Sequence, residues 1–335
     1  MSKGRIVALV LLSLLIAAAA VVAWGWQRFQ VEPVEFRESP IRFTVPSGAN
    51  VRGIANALRA QGVDVQPTEL WVWYKLRGHD GKLKAGTFEL AEPMTIDALL
   101  DKLVRGVVLM MSIRFIEGWS FRQMREAIDA NPELAHETPG LAPAELMSRI
   151  GASETQPEGL FFPDTYRFSP GTSDVEIYRR AYQAMKRTLE LAWEERQPDL
   201  PLDDPYDALV LASIVEKETG LAEERDKVAA VFINRLRRGM LLQSDPTTIY
   251  GMGDRFDGNL RKRDLQTHTE FNTYTRAGLP PTPIALPGRA SIEATLHPAD
   301  IGALYFVSRG DGTSEFSSDL ASHNRAVWKY QRGGR

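Results

Sequence analysis

The sequence predicts an α+β protein carried on a single N-terminal transmembrane helix, with small α/β modules followed by a larger mixed α+β domain. Three observations carry that expectation. Ile6 to Trp26 is an uncharged apolar run. A strand, glycine turn and amphipathic helix pattern then occurs twice, beginning at Ile41 and at Ile113. From Asp174 to Arg238 helical periodicity dominates, and beyond Gly239 it gives way to turn-rich sequence that reads as loops.

The apolar run is long enough to cross a bilayer at about 1.5 Å per residue. Lys3 and Arg5 precede it and Trp24 and Trp26 mark an interfacial end, so residues 1–4 are expected in the cytoplasm, 5–26 in the membrane and the rest outside. A cleaved signal peptide is the other reading, since Ala17 to Ala20 offer small residues for a peptidase. The run continues past those alanines, which favours the anchor. The anchor is expected to add nothing to the cores, so a chain beginning near Val31 should fold.

Composition narrows the chemistry. With no cysteine there are no disulfides and no thiolate chemistry, and a net charge of −3 with interspersed signs leaves no footprint for nucleic acid. The five histidines are scattered singly, without metal-ligand spacing, so neither a metal nor a cofactor is expected.

The two strand–turn–helix copies have Asn50 and Ser120 as candidate N-caps. Between them, Glu69 to Leu76 reads as a helix, Gly86 to Leu90 as a strand and Ile96 to Val104 as a helix capped by Thr95. The segment starting at Ile41 resembles the LysM module, a family that grips glycan chains, and this gives a LysM-like region over 40–130. Trp71, Trp73 and Tyr74 read either as sugar-stacking rings or as core, with core favoured. Residues 131–157 read as a connecting stretch and 158–335 as one further domain. Within it Asp174 to Ala192, a segment from Tyr206, and Glu223 to Arg238 read as helices. The last of these buries Val228, Val231, Phe232 and Leu236.

The segment LASIVEKETG, Leu211 to Gly220, is the most telling. Leu211, Ile214, Val215 and Glu218 fall at i, i+3, i+4 and i+7, so Glu218 extends the apolar stripe, and Gly220 is a candidate helix stop. Desolvation and the negative end of the helix would both favour a protonated carboxyl, as a general acid needs. On this segment alone a solvated, charged last turn is the favoured reading, since a perturbed carboxyl is only a pointer to a site. Glu216 lies on another face of the same helix. Three later segments are rich in side chains that hydrogen-bond sugars: Gln243 to Gly251, Phe271 to Ile284, and Phe316 to Asn324.

The motifs EGLFFPDTY, LASIVEKETG, ERDKVAAVFINRLRRGMLLQSDPTTIYGMG, FNTYTRAGLPPTPIALPG, ATLHPAD and LYFVSRGDGTSEFSSDLASHN, with the leading apolar run, resemble the YceG-like family of endolytic murein transglycosylases. The likeness runs in register from Glu158 to His323. It implies an enzyme on the outer face of the inner membrane that cuts nascent peptidoglycan strands internally and leaves 1,6-anhydroMurNAc ends. The family's catalytic glutamate carries over to Glu218 in E-K-E-T, with Glu216 a supporting or structural acid. Gln243, Ser244, Asp245, Thr247, Tyr250, Asn272, Tyr274 and Glu158 become candidates for orienting sugar and polarising the acid. Partners implied are the glycan strands, the membrane and peptidoglycan synthases. The alternatives are a glycan-binding membrane scaffold without activity, or a muramidase that uses water.

Overall fold

A computed structural model describes residues 3–79 and 83–333, and the chain divides into two compact units. The first, residues 1–111 with 168–170, begins with helix α1 (Lys3–Trp26), which is solvent-exposed along its length and apolar enough to span a membrane. Instead of ending in a linker, α1 continues through a wider helical turn, Gln27–Val31. Phe29 in this turn is buried in the core of the unit and stacks on Trp73 at 4.7 Å, and Arg28 pairs with Glu69 at 2.9 Å. Residues 5–26 themselves bury no side chain, but the expected start near Val31 is corrected, because it would remove Phe29 from the core. One helical turn beyond the apolar run, the chain already supplies a core side chain.

Strand β1 (Ile41–Val45), α2 (Val51–Ala60), α3 (Pro67–Leu76), β2 (Gly86–Leu90) and α4 (Ile96–Arg105) complete this unit. β1 and β2 pair antiparallel from Ile41–Leu90 to Val45–Gly86. α2 and α4 start where their capping chemistry predicts, while α3 starts at Pro67, two residues before the expected Glu69 and without a side-chain cap. The Asn50 side chain accepts from the Gly53 N–H and Thr95 Oγ1 from the Ala98 N–H, satisfying donors that the first turn leaves unpaired. Leu58, Leu70, Phe88, Leu90, Leu99 and Leu100 form the core. Tyr74 belongs to that core, Trp73 is half-buried with its indole N–H on Asp97, and Trp71 stays exposed beneath the Arg52 guanidinium.

The second unit, residues 112–167 and 171–335, is mainly helical. Its elements are β3 (Met111–Arg114), α5 (Phe121–Asp129), β4 (Leu134–Ala135), α6 (Pro143–Ile150), β5 (Thr165–Phe168), β6 (Thr172–Ser173), α7 (Asp174–Glu194), α8 (Pro205–Glu218), α9 (Arg225–Arg237), α10 (Asp245–Met252), α11 (Lys262–Gln266), α12 (Arg289–Leu296), β7 (Tyr305–Ser308), β8 (Ser314–Ser317) and α13 (Leu320–Val327). The strands form pairs only: β3 with β5, β4 parallel to β6, and β7 antiparallel to β8. The second strand–turn–helix copy, β3 and α5, belongs here, whereas sequence grouped it with 40–130. Ser120 closes a capping box with Gln123.

At the centre lies α8, whose residues Ala208 to Val215 are all buried, packed on α7, α9 and α12. That all-round burial explains why its stripe reads so continuously in sequence. The region after Gly239 is less loop-like than expected, because α10, α12, α13 and the β7–β8 hairpin lie in it. These elements are short, and their apolar residues face several neighbours at once, so no single periodicity marks them.

Candidate active site

Glu218 is the last residue of α8. The helix does not use Gly220 as a left-handed stop: Thr219 turns into extended backbone at φ −98° and ψ 111°, and its N–H still bonds to Val215 O. The chain thus leaves the helix directly after Glu218. The carboxyl lines a cleft of about 690 Å³ together with Arg235, Gln243, Asp245, Tyr274, Tyr305 and His323.

Surroundings that exclude water raise the Glu218 pKa above the usual carboxylate value, and the Asp245 charge acts in the same direction. Against these act the Ser244 hydroxyl, which donates to Oε1 at 2.6 Å, and the charge of Arg235. Ser244 is the N-cap residue of α10, yet its side chain caps nothing, because the hydroxyl is given to Glu218 instead. Its backbone N–H is held by Thr273 Oγ1 at 3.0 Å, and Gln243 N–H by Thr273 O at 3.1 Å. Gln243 itself has φ +52°, an unfavourable conformation for a side chain with a Cβ, and it stands exposed at the cleft.

The other sequence candidates divide by their place relative to the cleft. Asp245 and Tyr274 share the cleft and are joined by a 2.5 Å bond from the Tyr274 hydroxyl to Asp245 Oδ1. Thr247 and Asn272 are fully buried behind it. Thr247 bonds to Ser244 O and Thr273 Oγ1. The Asn272 amide donates to the carbonyls of Asp264, Leu265 and Thr267, while its oxygen accepts from Thr248 and the Tyr274 N–H. Both side chains hold the loop that carries Ser244 and Tyr274, and neither lines the cleft.

Glu158 and Tyr250 form a separate pair. Glu158 is buried, accepts from the Phe121 N–H at 2.9 Å and from the Tyr250 hydroxyl at 3.1 Å, and is pushed up to about 7 by burial. Tyr250 packs edge-on against Phe271 at 4.8 Å. Glu216 is engaged away from the cleft: its Oε2 accepts from the Gly288 N–H at 2.9 Å and the Ser291 hydroxyl at 2.7 Å. It thereby caps α12 and, with Lys217 on Gly118 O, pins the final turn of α8.

One cleft residue, Arg235, escaped the sequence reading, and His323 lay within the segment Phe316 to Asn324 without being singled out. Arg235 is buried on α9, with Nε on Leu304 O at 2.7 Å and Nη1 on Leu242 O at 2.7 Å. It lies 5.2 Å from the centre of the Tyr305 ring, which stacks on His323 at 5.1 Å. The missed signal was available. Arg235 follows Val228, Val231 and Phe232 at helical spacing, so it interrupts an apolar stripe just as Glu218 does, whereas Leu236, the residue expected to be buried, is only partly so. His323 Nδ1 is buried without a hydrogen-bond partner among the described residues.

No group of three or more metal-ligating side chains occurs among the described residues.

Residues 43–329 match the YceG-like family. The endolytic murein transglycosylase of Bacillus subtilis is 31% identical over 321 residues, covering 90% of this chain and 88% of that protein. The endolytic murein transglycosylase of Streptococcus pneumoniae is 27% identical and longer, so that the match covers 84% of this chain and 57% of that one. A crystal structure of a YceG-like protein from Listeria monocytogenes superposes with a TM-score of 0.53 at 26% identity, over 85% of this chain and 98% of that one.

Proposed function

The chain belongs to the YceG-like family, and from that premise we propose that it is a membrane-anchored endolytic murein transglycosylase in which Glu218 serves as acid and then as base. The observation that carries the assignment is the Glu218 carboxyl at a cleft, biased toward its protonated form by burial and by the neighbouring Asp245, with one oxygen already engaged by Ser244.

The substrate is the MurNAc–GlcNAc bond within a glycan strand. Protonated Glu218 donates to the bridging oxygen as positive charge develops at MurNAc C1 and the bond to C1 breaks. The resulting carboxylate accepts the proton of the MurNAc C6 hydroxyl, whose oxygen closes on C1 to give the 1,6-anhydro ring. Glu218 ends protonated, so the cycle balances without water. The two halves of the reaction ask opposite things of this group. Burial and Asp245 favour the acid needed first, while Ser244 and Arg235 favour the carboxylate that must exist between the steps. Gln243, Asp245 and Tyr274 are placed as sugar contacts in this reading. Thr247 and Asn272 act through the loop they hold, and Glu216, Glu158 and Tyr250 through the helices they join.

A muramidase using water is the second reading, favoured by Asp245, a second carboxyl at the same cleft. The Tyr274 hydroxyl already occupies Asp245 Oδ1, which supports the first reading instead. Mass analysis of products from purified wall glycan separates the two. Anhydro ends that disappear in Glu218→Gln support the lyase, and reducing MurNAc ends would replace it with hydrolysis.

Helix α1 anchors the protein in the inner membrane with its N-terminus cytoplasmic, the orientation that the basic residues before the run favour. The first unit, LysM-like in this reading, offers a second glycan contact at the groove beside exposed Trp71. Peptidoglycan synthases, which make the strands, are the expected neighbours.

A further inference from the structure

Where α1 meets the first unit, the surface is apolar in a way that folding does not explain. A hollow of about 460 Å³ is lined by Val21, Val22 and Trp24 of α1 and by Val72, Trp73 and Leu76 of α3. Leu76 is 69% exposed and Val72 39%, and with Thr68 they form an i, i+4, i+8 stripe on the open side of α3. The one charged side chain in the lining, Glu69, is already paired with Arg28.

The depth of this stripe follows from the length of α1. Counting from Ile6, the first residue after Arg5, a hydrocarbon layer of about 30 Å is crossed in roughly 20 residues, which ends near Gly25. Val21 and Val22 then lie just inside the hydrocarbon boundary, and Trp24 and Trp26 lie at the level where indoles concentrate. The joint between α1 and the unit is stiff. Helical backbone continues through Val31, Phe29 is 5% exposed in the core, and the rings of Trp24, Phe29 and Trp73 contact in sequence. Residues that share a hollow with Val21 and Val22 therefore lie at the same depth as those valines.

We propose that α3 is a second membrane contact, its Thr68–Val72–Leu76 stripe seated in the outer leaflet interface, with the hollow between α1 and α3 occupied by an acyl chain of a bilayer phospholipid. The inference rests on the reading of α1 as a membrane anchor. The bilayer is the occupant because it already surrounds the α1 wall of the hollow, and the α3 wall continues that surface with Val72, Trp73 and Leu76, its one charge, Glu69, being neutralised by Arg28. The consequence is that the first unit is held against the membrane in one orientation and does not swing on a tether.

The native chain has no cysteine, so a single introduced thiol reports one position. Leu12→Cys, Val72→Cys and Leu76→Cys, each in the full chain, would carry an environment-sensitive fluorophore in phosphatidylglycerol/phosphatidylethanolamine vesicles. The expected result is a blue shift at all three positions relative to the free label. Labels at 72 and 76 should be quenched by a spin label placed near the lipid headgroup, and all three should lose quenching by iodide. If Leu12→Cys is deep while the labels at 72 and 76 remain open to iodide, the proposal is overturned and the anchor stands. If the labels at 72 and 76 are shielded from iodide and from the lipid spin label alike, another copy of the chain covers the hollow, and the proposal is likewise overturned. A Leu12 label open to iodide overturns both the anchor and what is built on it.

Discussion

Glu218 and Glu158 are both carboxyls held above their ordinary pKa by burial, yet access gives them different work. Glu218 opens on a cleft, whereas Glu158 is buried against the Phe121 N–H and the Tyr250 hydroxyl. Glu218→Gln removes the transferable proton and keeps the shape. It should lower anhydroMurNAc formation by about 10²–10⁴ or more while leaving the unfolding midpoint unchanged, read by product mass analysis and thermal melts. Asp245→Asn removes a like charge that raises the Glu218 pKa, so the alkaline limb of the kcat/KM profile should move to lower pH. Movement to higher pH would show that Asp245 acts on substrate and not on the acid. For Glu158 the folded value of about 7 lies above the ordinary 4.5, so its contribution to stability is complete below about pH 4.5 and lost as pH rises through about 7. Wild-type stability should fall by up to about 3 kcal/mol across that window from this group, and the fall should be much smaller in Glu158→Gln. Equal slopes in the two melting series would contradict the burial account.

At the scale of elements, the last turn of α8 owes its position to side chains on either side of Glu218. Glu216 caps α12 through Gly288 and Ser291, and Lys217 reaches Gly118 O. Glu216→Ala leaves two donors without their acceptor and should cost about 2–3 kcal/mol, seen as a lowered urea midpoint. Glu216→Gln, which retains an accepting oxygen, should cost less and keep most of the activity. Loss of activity in Glu216→Gln with no change in the urea midpoint would assign this acid to the chemistry instead. The spacing of Glu216 and Glu218 already separated their faces in sequence, because helical periodicity is a local property. What each face would meet was not legible, because Gly288 is 72 residues further along the chain.

For the whole molecule, the junction between α1 and the first unit sets how the protein may be cut. A chain beginning at Val31 lacks Phe29 and leaves a hole against Trp73, which should destabilise the first unit by about 3–5 kcal/mol, whereas a chain beginning at Gly25 should melt near the full-length value. Equal melting of the two would show that Phe29 is dispensable. Sequence alone determined what depends on neighbours along the chain: the apolar span, the caps at Asn50, Thr95 and Ser120, the helices through Arg237, and the misplaced acid at Glu218. Tertiary structure decided which distant groups meet. It gave the Ser244 hydroxyl to Glu218, set Arg235 in the wall of the cleft, and joined Glu158 to Tyr250 across 92 residues. The physical reason is that periodicity and capping act within a few turns of backbone. The dielectric and hydrogen-bond environment of a carboxyl is built by whatever the fold packs around it.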